Sequence, residues 1–393
     1  MKSETSTFSP TGRQSVGQKF NTVIPDSSSA LAVVGAGILG VSCAYYLRKE
    51  GFNVTLFDKR GPGNSASSSG GETRLLRLVY GASQFYSQLT LDAIPLWMEL
   101  QKGTEPFFIP SPVLWISGRK NEKIILDSLE FLETKKIPYR ELTRSDLQKK
   151  WPFMDVSDIE VAVLEELSGY LKARCACQSI ASKFVEEGGT FILDNVKPEK
   201  NEKEQLSGLR LSSGGVEQFD FIVIAAGPWL NEWVEAPLIE VTRQEVHYFD
   251  VPFHSPSMKI FPSWVDLSYE PYFYGIPGDL TRGFKIACDL RGPLFNPDLD
   301  SRIPDIDSLK ESRKFLSYRF PEMAKLPLLE SRVCQYSNSI DRNLILDLHP
   351  SFNNVLLLGG GSGHSFKYGP AIGKIVVEFI TGQKPLVNEM RFF

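Results

Sequence analysis

Gly35, Gly37 and Gly40 stand in a Gly-x-Gly-x-x-Gly spacing directly after the apolar run Ala32-Val33-Val34, and Asp58 closes a second run, Val54-Thr55-Leu56-Phe57. This combination has the mechanics to hold a dinucleotide. The first glycine permits a tight strand-to-helix turn, the second lets the backbone close on a pyrophosphate, and the third lets the helix lie tightly on the sheet. The helix expected from Val41 to Glu50, after Ile38 and Leu39 in the turn, offers unpaired N–H groups and a partial positive charge to phosphates. Asp58 is placed to accept hydrogen bonds from ribose hydroxyls. Glycine-rich turns are common on their own. Here the strand before, the helix after and the acid at its distance are all present, so a dinucleotide site is expected, with FAD and NAD both open.

Further residues with chemical potential follow. After Lys59 comes a Ser/Gly-rich run, Ser65 to Gly71, placed to hug a cofactor through backbone amides and small hydroxyls such as Ser69. Arg74 and Arg77 are three apart, so on a helical turn they share a face and together can grip an anion. The apolar run Phe221 to Ala226 ends in Gly227, and Asn354 to Leu358 runs into Gly359-Gly360-Gly361-Ser362-Gly363-His364. Fully apolar strands that end in glycine are what buried parallel strands meeting a ligand look like.

Those residues need a scaffold. Helices are expected over Phe85–Lys102, Asn121–Lys135, Leu142–Lys150, Ala173–Glu187 and Pro370–Thr381, with helices also within Ile303–Phe320. Strands are expected at Val113–Ile116 and Thr190–Leu193, a hairpin at Leu206–Gln218, and β-rich stretches at Glu240–Val251 and Tyr272–Ala287. The fold class expected is α/β, a Rossmann-like FAD-binding domain interleaved with an α+β substrate domain on a mixed sheet. Residues 30–82, 163–236 and 332–393 go to the first, 83–162 and 237–331 to the second, and 1–29 to a disordered leader.

The 393 residues are long for one core, and 42% hydrophobic with 23% charged residues is ordinary for a soluble protein. A net charge of -4 gives no reason to expect nucleic acid, and no apolar run is long enough to span a bilayer. Cys43, Cys175, Cys177, Cys288 and Cys334 are an odd, sparse set that fits a reducing compartment, so a cytoplasmic monomer without a metal is expected.

Gly71-Glu72-Thr73-Arg74-Leu75-Leu76-Arg77, Val333-Cys334-Gln335-Tyr336 and Ser362-Gly363-His364-Ser365-Phe366-Lys367, in that order, carry a resemblance. From about Leu31 to the C-terminus the chain resembles the monomeric sarcosine oxidase and pipecolate oxidase family of D-amino-acid-oxidase-like flavoproteins. The resemblance implies FAD, bonded covalently through Cys334, whose thiolate adds to the electrophilic 8α carbon of the flavin. It implies that Arg77 and Lys367 hold a substrate carboxylate, that Arg74 lies nearer the flavin, and that Tyr274 and Tyr336 line the pocket. Lys285, in Gly283-Phe284-Lys285-Ile286, matches the lysine that activates oxygen over the flavin. Thr73, Val196, Gly227, Gly361 and Gly363 join the expected cofactor contacts, and His364 the expected catalytic group. One departure stands out: sarcosine oxidases of the family carry a histidine four residues after that lysine, and here the position is Asp289.

The expected function is thus oxidation of a secondary or cyclic amino acid to an imine, with electrons passed to oxygen to give hydrogen peroxide. The partners are a small amine or amino acid and O2. A flavin-dependent amino-acid dehydrogenase, or another amine-oxidising flavoenzyme of a biosynthetic pathway, is the alternative within flavin chemistry. An NAD-dependent dehydrogenase would explain Gly35 to Asp58 but not Val333 to Tyr336. A flavoprotein that keeps the fold without turnover is the non-enzymatic reading.

Overall fold

The computed structural model describes residues 24–120, 122–200, 206–235, 237–251, 260–277 and 282–392. Of the expected leader, 1–23 lie outside the described residues, while Asp26 to Ser29 form a turn leading into the first strand.

The strand Ala30–Val34 pairs in parallel with Asn53–Asp58 on one side and Phe221–Ile224 on the other. Thr190–Leu193 and Val355–Gly360 extend this sheet in parallel, and Leu344–Leu348 closes one edge antiparallel. The apolar runs are continuous because both faces are covered. Alternate side chains go to opposite layers, as a strand's period of two requires. Leu31, Val33, Phe221, Val223, Leu356 and Leu358 join the core shared with the helices Ile38–Lys49, Ala173–Glu186 and Gly369–Ile380. Ala32, Val34, Ile222, Ile224, Val355 and Leu357 face a three-stranded meander through Val196, Leu206 and Leu209.

A second sheet of eight strands runs in the order Leu328–Ser339, Ile239–Phe249, Phe284–Cys288, Phe273–Ile276, Ser263–Asp266, Val113–Ser117, Val161–Glu165 and Tyr139–Glu141. One face packs on the helix Ile306–Arg319, the one α-helix described within 303–320, through Phe315 and Leu316. That helix ends in a fully buried ion pair, Arg319 Nε to Asp266 Oδ2 at 2.6 Å. Among the described residues no helix is long and apolar enough to cross a membrane.

The sheets correct parts of the sequence reading. The boundaries expected at 162/163 and 331/332 fall inside strands of the eight-stranded sheet, Val161–Glu165 and Leu328–Ser339. An apolar run shows that a strand is buried but not which sheet it joins. The helix Gln84–Leu100, expected in the substrate domain, buries Leu89, Ala93, Trp97 and Leu100 in the core of the first sheet's helical layer. Thr73–Leu76, read as a helical turn, is a strand paired with Gly169–Lys172. Backbone pairing with a segment about a hundred residues away overrides the local preference.

Candidate active site

A cavity of about 670 Å³ runs from the glycine-rich turn to side chains of the eight-stranded sheet, within the usual size of a small-molecule site. All the site residues expected from the sequence line it except Gly40, Thr73 and Gly361.

At the glycine end, Gly35 has φ +103°, and a Cβ there would lie 2.4 Å from the carbonyl oxygen of Ala225. A Cβ on Gly40 would lie 1.8 Å from the carbonyl oxygen of Gly35, so its part is the close packing of helix on turn. The Ser69 hydroxyl accepts from the Ile38 N–H at 3.0 Å, drawing the serine-rich loop onto the helix N-terminus. Asp58 accepts from Ala36 N–H at 2.7 Å and, through its other oxygen, from the N–H groups of Arg60 and Gly61 at 2.7 Å each. The carboxylate therefore braces the turn, a role the ribose expectation did not include. Lys59 approaches Asp298 at 3.3 Å, and Trp229 Nε1 donates to the same carboxylate at 2.5 Å. Burial works to raise the Asp298 pKa, but the bonds from Arg60, Trp229 and Lys59 outweigh it and hold it at about 2.

Farther along, Arg74 donates to the carbonyls of Ser68 at 3.0 Å, Gly70 at 2.5 Å and Thr73 at 2.9 Å. It is a strut for the loop, and the expected pairing of Arg74 with Arg77 on one helical face does not occur. The Lys285 ammonium donates to Thr73 O at 3.0 Å, and the residue is 3% exposed. Burial, with Arg74 adding and Cys334 opposing, brings its pKa down to about 7. Cys334 is half-buried on Leu328–Ser339, where Arg302 pins the strand through Val333 O at 3.3 Å and Gln335 Oε1 at 2.9 Å. The Thr73 and Ser362 hydroxyl oxygens are buried without a partner among the described residues. The orphaned Ser362 oxygen, Gly35 and Gly37 and the loop amides around the helix N-terminus line this cavity and fit a flavin dinucleotide along it.

The inner wall is cationic and aromatic. The Arg77 guanidinium lies 4.2 Å from the Tyr80 ring centroid and 5.1 Å from that of Trp115. Lys367 donates to the Tyr80 hydroxyl at 2.5 Å and to His364 O at 2.8 Å. Burial, then Arg77, pushes the Lys367 pKa well below the ordinary lysine range. His364 is likewise pushed well down by burial and by Lys367 and Arg77, so it sits neutral with Nδ1 3.3 Å from the Tyr368 hydroxyl. Gly363, φ +93°, lets the loop pass Tyr336, since a Cβ would meet that ring at 2.7 Å. Gly361, φ +78°, serves the turn itself and donates its N–H to Asn343 O at 3.1 Å.

The sequence marked Asp289 as a departure but missed its partner Tyr272, and it missed Glu165. Asp289 accepts from the Tyr336 hydroxyl at 3.2 Å and from the Tyr272 hydroxyl, and Tyr274 lies 3.4 Å from Tyr336, oxygen to oxygen. Burial, then the Asp289 charge, holds the Tyr272 phenol well above its usual range, so it stays a donor. The Tyr272-x-Tyr274 spacing was the available signal, because alternate residues share a face. Glu165 is fully buried behind Arg77, accepting from Trp115 Nε1 at 3.0 Å, from Leu78 N–H and from the Ser168 hydroxyl. Nothing local in the sequence marks it.

Comparison with known proteins gives a consistent result. The family model described as DAO, FAD dependent oxidoreductase, matches residues 30–379. A monomeric sarcosine oxidase from Bacillus sp. (strain NS-129) is 27% identical, covering 90% of this chain and 92% of the relative. An N-methyl-L-tryptophan oxidase from Yersinia pestis (strain Pestoides F) is 28% identical, covering 89% and 94%. Among solved structures, L-proline dehydrogenase from P. horikoshii superimposes with a TM-score of 0.80 at 22% identity, covering 92% and 95% of the two chains. A modified fructosyl peptide oxidase from Aspergillus nidulans gives 0.81 at 21% identity, covering 94% of each chain. The structural likenesses show a shared fold.

Proposed function

Because the chain belongs to the DAO family of FAD dependent oxidoreductases, we propose that it oxidises a secondary or cyclic amino acid at the C–H beside the amine nitrogen, with oxygen as acceptor. The observation that carries this reading is that one cavity joins the dinucleotide turn, the buried Lys285, Cys334 and the cation pair Arg77 and Lys367. FAD held along Gly35, Gly37, Ser69 and Arg74 would supply the hydride acceptor and the route for electrons to oxygen. The NAD alternative is set aside by the family.

The protein's own residues bind and orient. Arg77 and Lys367 hold the substrate carboxylate by charge-assisted bonds, and the guanidinium fork fixes its direction. Tyr274 and Tyr336 wall the substrate, and Asp289 offers an acceptor to the amine where sarcosine oxidases carry an imidazole. That difference changes how the amine is recognised, which argues against sarcosine itself as the substrate. Asp289, held between two phenol donors, also attracts the amine into the cavity. Peroxide release with sarcosine, pipecolate, proline and N-alkyl amino acids tests the reading; no release with any of them would overturn it.

Cys334 is the proposed point of covalent flavin attachment. Wild-type protein precipitated with acid should keep its yellow colour in the pellet, while Cys334→Ser should lose flavin to the supernatant under the same treatment. A colourless wild-type pellet would contradict the attachment.

A further inference from the structure

The cavity also carries two arginines that the chemistry above does not use, Arg291 and Arg342. Arg291 follows the strand Phe284–Cys288, two residues beyond Asp289, and its Nε donates to Asn338 Oδ1 at 2.8 Å. Arg342 sits in the turn after Leu328–Ser339, where its N–H donates to Ser339 O at 3.1 Å. Its φ of +65° is the left-handed region, which a side-chain-bearing residue adopts at a cost and which clusters at ligand-binding positions. Arg291 is half-buried and Arg342 exposed, as expected for groups at the opening.

The arginines differ from others in the molecule in what they face. Arg174, Arg243, Arg319 and Arg332 each hold a carboxylate. Among the described residues, Arg291 and Arg342 hold none within ion-pair distance. Both line the same cavity, where the Arg342 charge disfavours the Arg291 charge and Asp289 favours it. The carboxylates nearest in sequence, Asp289 and Asp341, are engaged by Tyr272 and Tyr336 and by Asn343 respectively. A substrate carboxylate at Arg77 and Lys367, with its amine beside Asp289, would still leave this outer pair without an ion-pair partner. An anion that enters between two cations at a cavity opening is attracted by both.

We propose that Arg291 and Arg342 form an outer anion site for a second carboxylate, carried on the nitrogen substituent of the substrate. The preferred substrate is then an N-substituted amino acid with an acidic arm, and the N-methyl compounds are poor surrogates. This rests on the reading of the cavity as a secondary-amine site, and it assigns the arm's chemistry. Guanidinium groups suit it because their planar forks match carboxylate geometry.

The test compares N-carboxypropylglycine with its carbamoyl isostere, which differs only in the charge of the arm. Binding to the holoenzyme is measured by calorimetry with ether analogues, in which oxygen replaces the amine nitrogen so that no oxidation intervenes. Turnover of the amines is read as peroxide. The diacid ether should bind at least about tenfold more tightly than its neutral isostere, as expected for charge-assisted bonds, and the preference should shrink with added salt. Arg291→Met and Arg342→Met should each collapse the ratio toward one, and Arg291→Lys should restore part of it. Equal binding of both ethers by the wild type, or a ratio retained in both methionine variants, would overturn the outer site. Tight, charge-dependent ether binding without peroxide from either amine would instead contradict the oxidase reading and leave the outer site standing.

Discussion

Lys285→Met is expected to leave reduction by substrate nearly intact and to slow reoxidation by oxygen by about 10²–10³-fold. A fixed cation interacts little with neutral oxygen and strongly with the superoxide formed by the first electron transfer. Its stabilisation therefore belongs to the transition state and changes the rate instead of the binding. The structure supplies the preorganisation: the ammonium is buried and tethered to Thr73 O at 3.0 Å. It also predicts the pH dependence. With the pKa lowered to about 7 by burial and Arg74, the charged form prevails below that value and is lost as pH rises through it. Reoxidation by the wild type should fall as pH rises through about 7, and the methionine variant should show no such step. Stopped-flow traces of the two half-reactions check both points. Unchanged reoxidation in the variant would remove the residue from the oxidative step.

The carboxylate clamp should give the next largest effect. Arg77→Met or Lys367→Met should raise KM for an amino acid at least about tenfold more than for a matched amine lacking the carboxylate. The basis is that a hydrogen bond to a charged partner contributes about 1.5–3 kcal/mol. Lys367 adds a signature of its own. Burial, then Arg77, holds its pKa well down in the free site, so an arriving carboxylate favours the protonated form and binding takes up a proton. Binding through this residue should therefore weaken as pH rises, in the wild type and not in Lys367→Met. Equal losses on the two substrates would mean that these cations do not face the carboxylate.

What could be read in advance follows from how local each signal is. The glycine spacing, the apolar strands and the helix after them are local, although the helix begins at Ile38 and not at Val41, and the sheet Ala30–Val34, Asn53–Asp58, Phe221–Ile224 and Val355–Gly360 assembled as their patterns imply. Arg74 and Arg77 show the limit. A helical turn would have paired them, whereas pairing of Thr73–Leu76 with Gly169–Lys172 sends Arg74 to the loop carbonyls and leaves Arg77 between Tyr80 and Trp115. Glu165 and the Arg291–Arg342 pair were invisible for the same reason. Each matters through a neighbour that only the eight-stranded sheet or its turns bring near. Asp58 was found for its distance from the glycines, but its bonds to Ala36, Arg60 and Gly61 are a property of the folded turn.

The central claim is that this chain oxidises a secondary amino acid through bound FAD and hands the electrons to oxygen. It is tested most directly by mixing the purified protein anaerobically with the panel of secondary amino acids, following the visible flavin band, and then admitting air. The account predicts that at least one secondary amino acid bleaches the band, that air restores it, and that peroxide forms in step with the amine consumed. A protein without a flavin spectrum, or a flavin band that no secondary amine bleaches, would contradict it.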